Sequence, residues 1–287
     1  MKRLTRLVGF ILILVAGYGH AAVRIVAAEN VYGNIAQQIG GDEVVVTSIL
    51  KDPNQDPHMF EASPSIAVAL AKADLVIVNG ADYDPWANKL IGGSPSKRRQ
   101  LLLVSALVGA KSGANPHLWY DPKNIQAVAQ DVAERLSQVD PVHRKEFAHN
   151  LEQFRAKMRP LENQIHTMRQ RFHGTPVTAT EPVFGYMADS LGLSMRNTGF
   201  QLAVMNNVEP GASEVAALEG DLRQRKVAAL IYNRQVTDST TAHFLALAKK
   251  SGVPVVGVTE TEPTDQDYVH WMQSQLDRLE KALEQFR

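Results

Sequence analysis

The sequence predicts an α/β protein of two lobes, each with a mostly parallel sheet flanked by helices, and one long helix between them. Three observations carry this. Short apolar runs without polar alternation, such as DLVIVN at 74–79, read as strands covered on both faces of a parallel sheet. Such runs alternate with helical patterns on either side of the middle of the chain, as right-handed β–α crossovers require. Between them, residues 122–172 are almost all helix formers, with Ile125, Val128, Val132 and Leu136, then Phe147, Leu151, Phe154, Met158, Leu161, Ile165 and Met168 at helical spacing.

The first residues read as an address. Lys2, Arg3 and Arg6 precede an apolar run over 7–18, and Gly19, His20 and Ala21 supply a small-residue cleavage site. Twelve apolar residues are too few for the roughly 20 that span a bilayer. Residues 1–21 are therefore expected to be a cleaved signal, whose loss leaves a formal charge of −3.

Then comes a strand at 23–28, with Glu29 and Asn30 opening a helix that Gly40 and Gly41 stop. A strand at 44–50, a helix at 64–72 behind Ser63 and the strand at 74–79 follow. Asp140 and Pro141 divide the central stretch into two helices. The second, about 30 residues at 1.5 Å per residue, would reach roughly 45 Å, and Pro160 is expected to bend it. Beyond His173 and Gly174 lie a strand at 176–180, helices at 183–191 and 213–224, a strand at 227–232, a helix at 239–250, a strand at 253–258 and a closing helix. The domain boundaries are expected at 22–140, 141–173 and 174–287. Glu29–Gly33 echoes Glu181–Gly185 at the head of each half, and the chain reads as a duplicated unit.

Composition narrows the function. Thirty Lys and Arg balance thirty Asp and Glu, which argues against a nucleic-acid binder. The chain has no cysteine, so disulfides, thiolate metal sites and thiol nucleophiles are excluded, along with a lipidated N-terminal cysteine. No GxSxG, phosphate loop, HExxH or dinucleotide fingerprint is present. Gly92, Gly93 and Ser94 read as a polar loop, and Tyr83, Trp86, Trp119 and Tyr120 as packing aromatics.

Two histidines stand out. His58 in Asp56-Pro57-His58 and His117 in Asn115-Pro116-His117 each follow a proline that stiffens a loop ahead of a helix. Such loops at strand ends are where α/β folds hold ligands. His143, His149, His166, His173, His243 and His270 lie in or beside polar helical stretches and read as solvated. The second half offers Glu181 after one strand and Glu260 after another, with Glu262 competing two residues on. Glu181 also reads as a simple helix-start charge. Two imidazoles and two carboxylates would suit Zn²⁺ or Mn²⁺.

These motifs resemble the metal-specific solute-binding proteins of ABC transporters, the zinc/manganese cluster A-I family. The shared features run from Gly40-Gly41-Asp42 through the two Pro-His motifs and Asp121-Pro122 to Phe184-Gly185-Tyr186 and Leu191-Gly192. The resemblance implies two α/β lobes joined by one rigid helix with metal in the cleft. It implies His58, His117, Glu181 and Glu260 as the metal ligands, the ion being cargo rather than a catalytic cofactor. It further implies delivery to a membrane permease by a protein without enzymatic activity. A monomer free in the periplasm, and not a lipoprotein, is expected. A secreted zinc hydrolase and a receptor for an organic solute or metal chelate are the alternatives.

Overall fold

The computed structural model describes residues 21–206, 208–236 and 238–286, and of His58 the backbone alone. The expected signal therefore lies, but for Ala21, outside the described residues. Two four-stranded parallel sheets form the frame. In the first half the elements are β1 (Val23–Glu29), α1 (Asn30–Gly40), β2 (Val44–Leu50), α2 (Pro64–Lys72), β3 (Leu75–Val78), α3 (Pro85–Gly93), β4 (Gln100–Leu103), α4 (Val104–Val108) and α5 (Pro122–Val139). Helix α6 (Arg144–Phe172) leads to β5 (Pro176–Ala179), α7 (Gly185–Ser190), β6 (Ser194–Arg196), α8 (Thr198–Met205), α9 (Ala212–Arg223), β7 (Leu230–Asn233), α10 (Ser239–Ser251), β8 (Val255–Val258) and α11 (Tyr268–Glu284). The sheet orders are β2-β1-β3-β4 and β6-β5-β7-β8, so both lobes wind in the same sequence of strands.

The central helices follow from their sequence. Asp121 caps α5 by accepting from the amide of Lys123 at 2.9 Å, and Pro122 occupies the first turn, where its missing N–H costs nothing. Asp140 closes the turn to α6 by accepting from the amide of Val142. Along α6, Phe147, Leu151, Phe154, Met158, Leu161 and Met168 are all buried on one face, with Ile165 packed beside them. Each such side chain contributes about 1.5–3 kcal/mol by leaving water. That face meets α1 and α5 in the first lobe and α11 in the second, so one helix braces both. Pro160 lies on the exposed face, and the helix continues through it.

Several sequence readings are corrected. Gly92 and Gly93 close α3 rather than forming a loop. The helix expected at 183–191 is split into a 3₁₀ turn, Pro182–Phe184, and α7. Strand β7 starts three residues later than expected and reaches Asn233. Strands β4 and β6, and helices α3, α4 and α8, were not legible; β4 and β6 are edge strands of four and three residues, too short for periodicity to declare.

Candidate metal centre

Among the described residues the eight strands run parallel within their sheets, so their carboxyl ends gather along one edge of each lobe, and the two edges face each other. Strand β5 ends before Glu181, β7 ends at Asn233 and β8 ends two residues before Glu260. From the first lobe come Tyr83, in the turn after β3, and His117, in the loop before α5. Hydrogen bonds tie the edges together: Asn30 Nδ2 donates to the Glu262 carbonyl at 2.6 Å, Tyr186 Oη to the Asn115 carbonyl at 2.7 Å, and Tyr268 Oη to the Trp119 carbonyl at 2.9 Å.

Three of the four sequence-predicted residues converge there. His117, Glu181 and Glu260 are only 1%, 6% and 3% exposed. His117 Nε2 lies 3.1 Å from Glu260 Oε2, and the same oxygen accepts from Tyr83 Oη at 2.8 Å. Asn233 Nδ2 lies 2.8 Å from Glu181 Oε2 and 2.6 Å from Glu260 Oε1, joining the two carboxylates through one amide. Asn115 Oδ1 stands 2.7 Å from His117 Nδ1. An amide oxygen can only accept, so Nδ1 carries the proton and Nε2 is turned towards Glu260, leaving its lone pair able to bind a metal ion. Edge contacts with Tyr83 and Trp119 fix the ring.

Glu181 makes no capping bond at the turn it precedes, which argues against a helix-start role. Burial first, then the charges of Glu260 and Asp56, push its carboxyl up to about 8, against the pull of the Asn233 bond. Glu262 lies apart from this group. Its backbone pairs with the Asn30 side chain, its Oε2 has no hydrogen-bond partner among the described residues, and burial followed by Asp267 pushes its carboxyl to about 9. Of His58, the backbone lies in the 3₁₀ turn Pro57–Met59, and its side chain is outside the described residues. The neighbouring Asp56 lies close enough to act electrostatically on both Tyr83 and Glu181.

The turn after β3 shows how the backbone is bent to the task. Gly80, Ala81 and Asp82 all have positive φ, which is uncommon for the latter two. Asp84 holds the turn by accepting from the amides of Asn79 and Gly80 at 2.7 and 2.8 Å, and Tyr83 is thereby aimed at Glu260. A Cβ on Gly80 would stand 2.2 Å from Ser105 Oγ.

Reading Tyr83 as packing missed its hydroxyl, and Asn115, Asn233 and Gln235 were not singled out as positioning groups at all. The Asn-Pro-His spacing was the available signal for Asn115. Asn233 and Gln235 had none, since a polar pair after a strand is ordinary loop chemistry. The solvated reading of the remaining histidines needs one correction. His143 is partly enclosed, with Nδ1 2.5 Å from Asp140 Oδ2 and 3.4 Å from Glu43 Oε2. Those three could hold a cation geometrically. They sit where α5 turns into α6 and just before β2, at the opposite strand ends from the cleft.

The family model described as "ZnuA: Zinc-uptake complex component A periplasmic" matches residues 25–282. The manganese ABC transporter substrate-binding lipoprotein PsaA of Streptococcus mitis is 24% identical, covering 91% of this chain and 89% of its own. The metal ABC transporter substrate-binding lipoprotein ScbA of Streptococcus cristatus is 23% identical, with 92% and 90% covered. The fold is similar to that of the periplasmic zinc binding protein TroA from Treponema pallidum, with a TM-score of 0.77 at 18% identity, covering 91% of this chain and 99% of that one. A ZnuA crystal structure gives 0.71 at 20% identity, with 92% and 98% covered. These likenesses show the two-lobe fold. They also overturn one expectation. The curated relatives are named lipoproteins, so a free periplasmic protein no longer follows from family and export signal, although this chain has no cysteine.

Proposed function

Since the chain belongs to the zinc-uptake component A family of ABC-transporter substrate-binding proteins, we propose that it captures one divalent ion, Zn²⁺ or Mn²⁺, between its lobes and passes it to a membrane permease. We propose His58, His117, Glu181 and Glu260 as the ligands, with 22–140 and 174–287 as the lobes and 141–173 as their link. The observation that carries the reading is the convergence of His117, Glu181 and Glu260, from three separate loops and both lobes, in a buried group already furnished with outer partners. Buried carboxylates meeting an imidazole are costly without a counter-charge, and a divalent ion supplies it.

Two nitrogens and two oxygens close a four-coordinate site. No position remains for the activated water a zinc hydrolase needs, and the family is one of binding proteins, not enzymes. Carboxylates admit manganese, while the intrinsic affinity order favours zinc in direct competition. Metal ligands must be deprotonated, so capture is coupled to proton release.

Equilibrium dialysis against Zn²⁺ or Mn²⁺, followed by elemental analysis, tests the proposal. One equivalent retained by the wild type and lost from His117→Gln supports it. Retention of no metal by the wild type overturns it.

A further inference from the structure

A second buried amide, Gln235, bridges the two ligand-bearing loops. It lies two residues beyond the end of β7 and is 5% exposed. Its Oε1 accepts from the amide of Glu260 at 2.6 Å and from that of Thr261 at 3.1 Å. Its Nε2 lies 2.7 Å from the carbonyl of Gln55, in the other lobe, and 3.1 Å from Thr261 Oγ1. Its own backbone amide donates to Asn233 Oδ1 at 3.0 Å, the side chain whose other end joins Glu181 to Glu260.

Gln55 stands three residues before His58, in the long loop between β2 and α2. That loop is closed by local turns: Gln55 N donates to the Asp52 carbonyl, Met59 N to Asp56 and Phe60 N to Pro57. On its own lobe it is pinned by Phe60 packing on Trp86, with ring centroids 5.0 Å apart. One amide side chain thus grips the Glu260 loop with its oxygen and the His58 loop with its nitrogen. We propose that Gln235 is a positioning residue that couples these two loops across the cleft, so that the His58 and Glu260 ligand positions are held, and released, as one unit.

The coupling follows from hydrogen-bond capacity. A side-chain amide offers two donors and one accepting oxygen. Here both ends are used; the bonds to Glu260 and Thr261 are buried, and the one to Gln55 is part-buried. If the His58 loop swings away, the Nε2 bond to Gln55 is lost and the amide's hold on Glu260 is free to reorient. Nε2 then keeps Thr261 Oγ1 but loses its second partner on a side chain only 5% exposed, where an unmade bond is costly, so loosening one half of the bridge weakens the other. The proposal rests on His58 and Glu260 ligating one metal, yet the loop coupling itself is measurable without metal.

The test uses the full chain with Gln235→Met, which fills the same space without hydrogen bonding, and Gln235→Asn, which keeps the amide but is one methylene short. Hydrogen exchange is followed over 51–60 and 258–262, metal-free and saturated with Mn²⁺ or Zn²⁺. Metal dissociation is timed after a chelator challenge. Both variants are expected to exchange at least tenfold faster in both segments together, with or without metal, and to release metal about tenfold faster, while still melting cooperatively. A residue that only fills space would leave Gln235→Met like the wild type, and that result overturns the proposal. So does faster exchange confined to 258–262, which would make Gln235 a local brace. If the wild type retains no metal, the transport reading fails, and the metal-free exchange still decides the coupling.

Discussion

His117 Nε2, from the N-terminal lobe, stands 3.1 Å from Glu260 Oε2, from the C-terminal lobe, although the two are 143 positions apart in the chain. Both are buried, and each has its remaining atoms occupied. Nδ1 of the imidazole faces Asn115, and the carboxylate takes Tyr83 and Asn233. The contact is therefore oriented from both sides. With these residues as ligands, as proposed, such preorganisation leaves little reordering to be done on binding.

Replacing His117 should weaken metal binding by more than the 10–100-fold typical of losing an outer partner. Because it is buried between Tyr83 and Trp119, not on an open loop as its sequence context suggested, His117→Ala also leaves a hole and an under-satisfied Glu260. A loss of about 1–3 kcal/mol in stability is expected with it. His117→Gln separates the two effects, and His58→Ala should lose affinity comparably. Competition against a chromophoric chelator, alongside urea unfolding, measures both. Wild-type affinity in either variant would remove that residue from the ligand set.

Glu181→His should shift preference from Mn²⁺ towards Zn²⁺, since imidazole suits zinc and carboxylate suits manganese. The pH profile should shift too. In the wild type Glu181 holds its proton up to about 8, so affinity is expected to fall as pH drops below that value. With histidine there, the fall should move towards the ordinary imidazole range near 6.5. Competitive Zn²⁺/Mn²⁺ titrations at several pH values would decide; an unmoved ratio means Glu181 is not a ligand.

Glu262 supplies a test of stability against pH that does not involve metal. Folded, its carboxyl stays protonated up to about 9, while the ordinary value is 4.5. The native state therefore binds one more proton between those values. Its contribution is fully present below 4.5 and is lost as pH rises towards 9, at up to about 1.4 kcal/mol per pH unit. Glu262→Gln keeps the shape and removes the titration. The variant should gain on the wild type as pH rises from 5 to 9. Parallel denaturation curves across that range would refute the burial argument.

His143→Ala and His166→Ala should change metal affinity less than tenfold. His166 is exposed on α6, with its Nε2 2.9 Å from Gln170, and His143 pairs with Asp140 and Glu43 away from the cleft. For His143 a modest loss of stability is expected, because Asp140 then loses one of the partners that close the α5–α6 turn. Titration calorimetry with Zn²⁺ is sufficient. A tenfold affinity loss would move the site to the Glu43–Asp140–His143 group.

Much of the architecture was written locally. Apolar runs at 23–28 and 74–79 read as covered strands and are largely buried, and the seven-residue apolar stripe of α6 read as a bracing helix, because periodicity is a property of a few adjacent residues. The run at 44–50 is a strand but not a covered one, since β2 lies at the sheet edge with Val45 exposed. The two Pro-His loops were likewise legible, each proline marking a stiff loop by its fixed φ. What the tertiary structure alone decided was mutual placement. Glu260 and Glu262 were equivalent in sequence, and only the exit of the chain from β8 turned one towards His117 and the other towards Asn30. Glu29 and Glu181 occupy matching strand ends in the two lobes, yet Glu29 is buried against Asp84 while Glu181 meets Asn233. Asn233 and Gln235 were invisible for the same reason. A hydrogen bond needs a partner within about 3 Å, and their partners lie tens to nearly two hundred residues away, brought near only when both sheets have wound and packed on one helix.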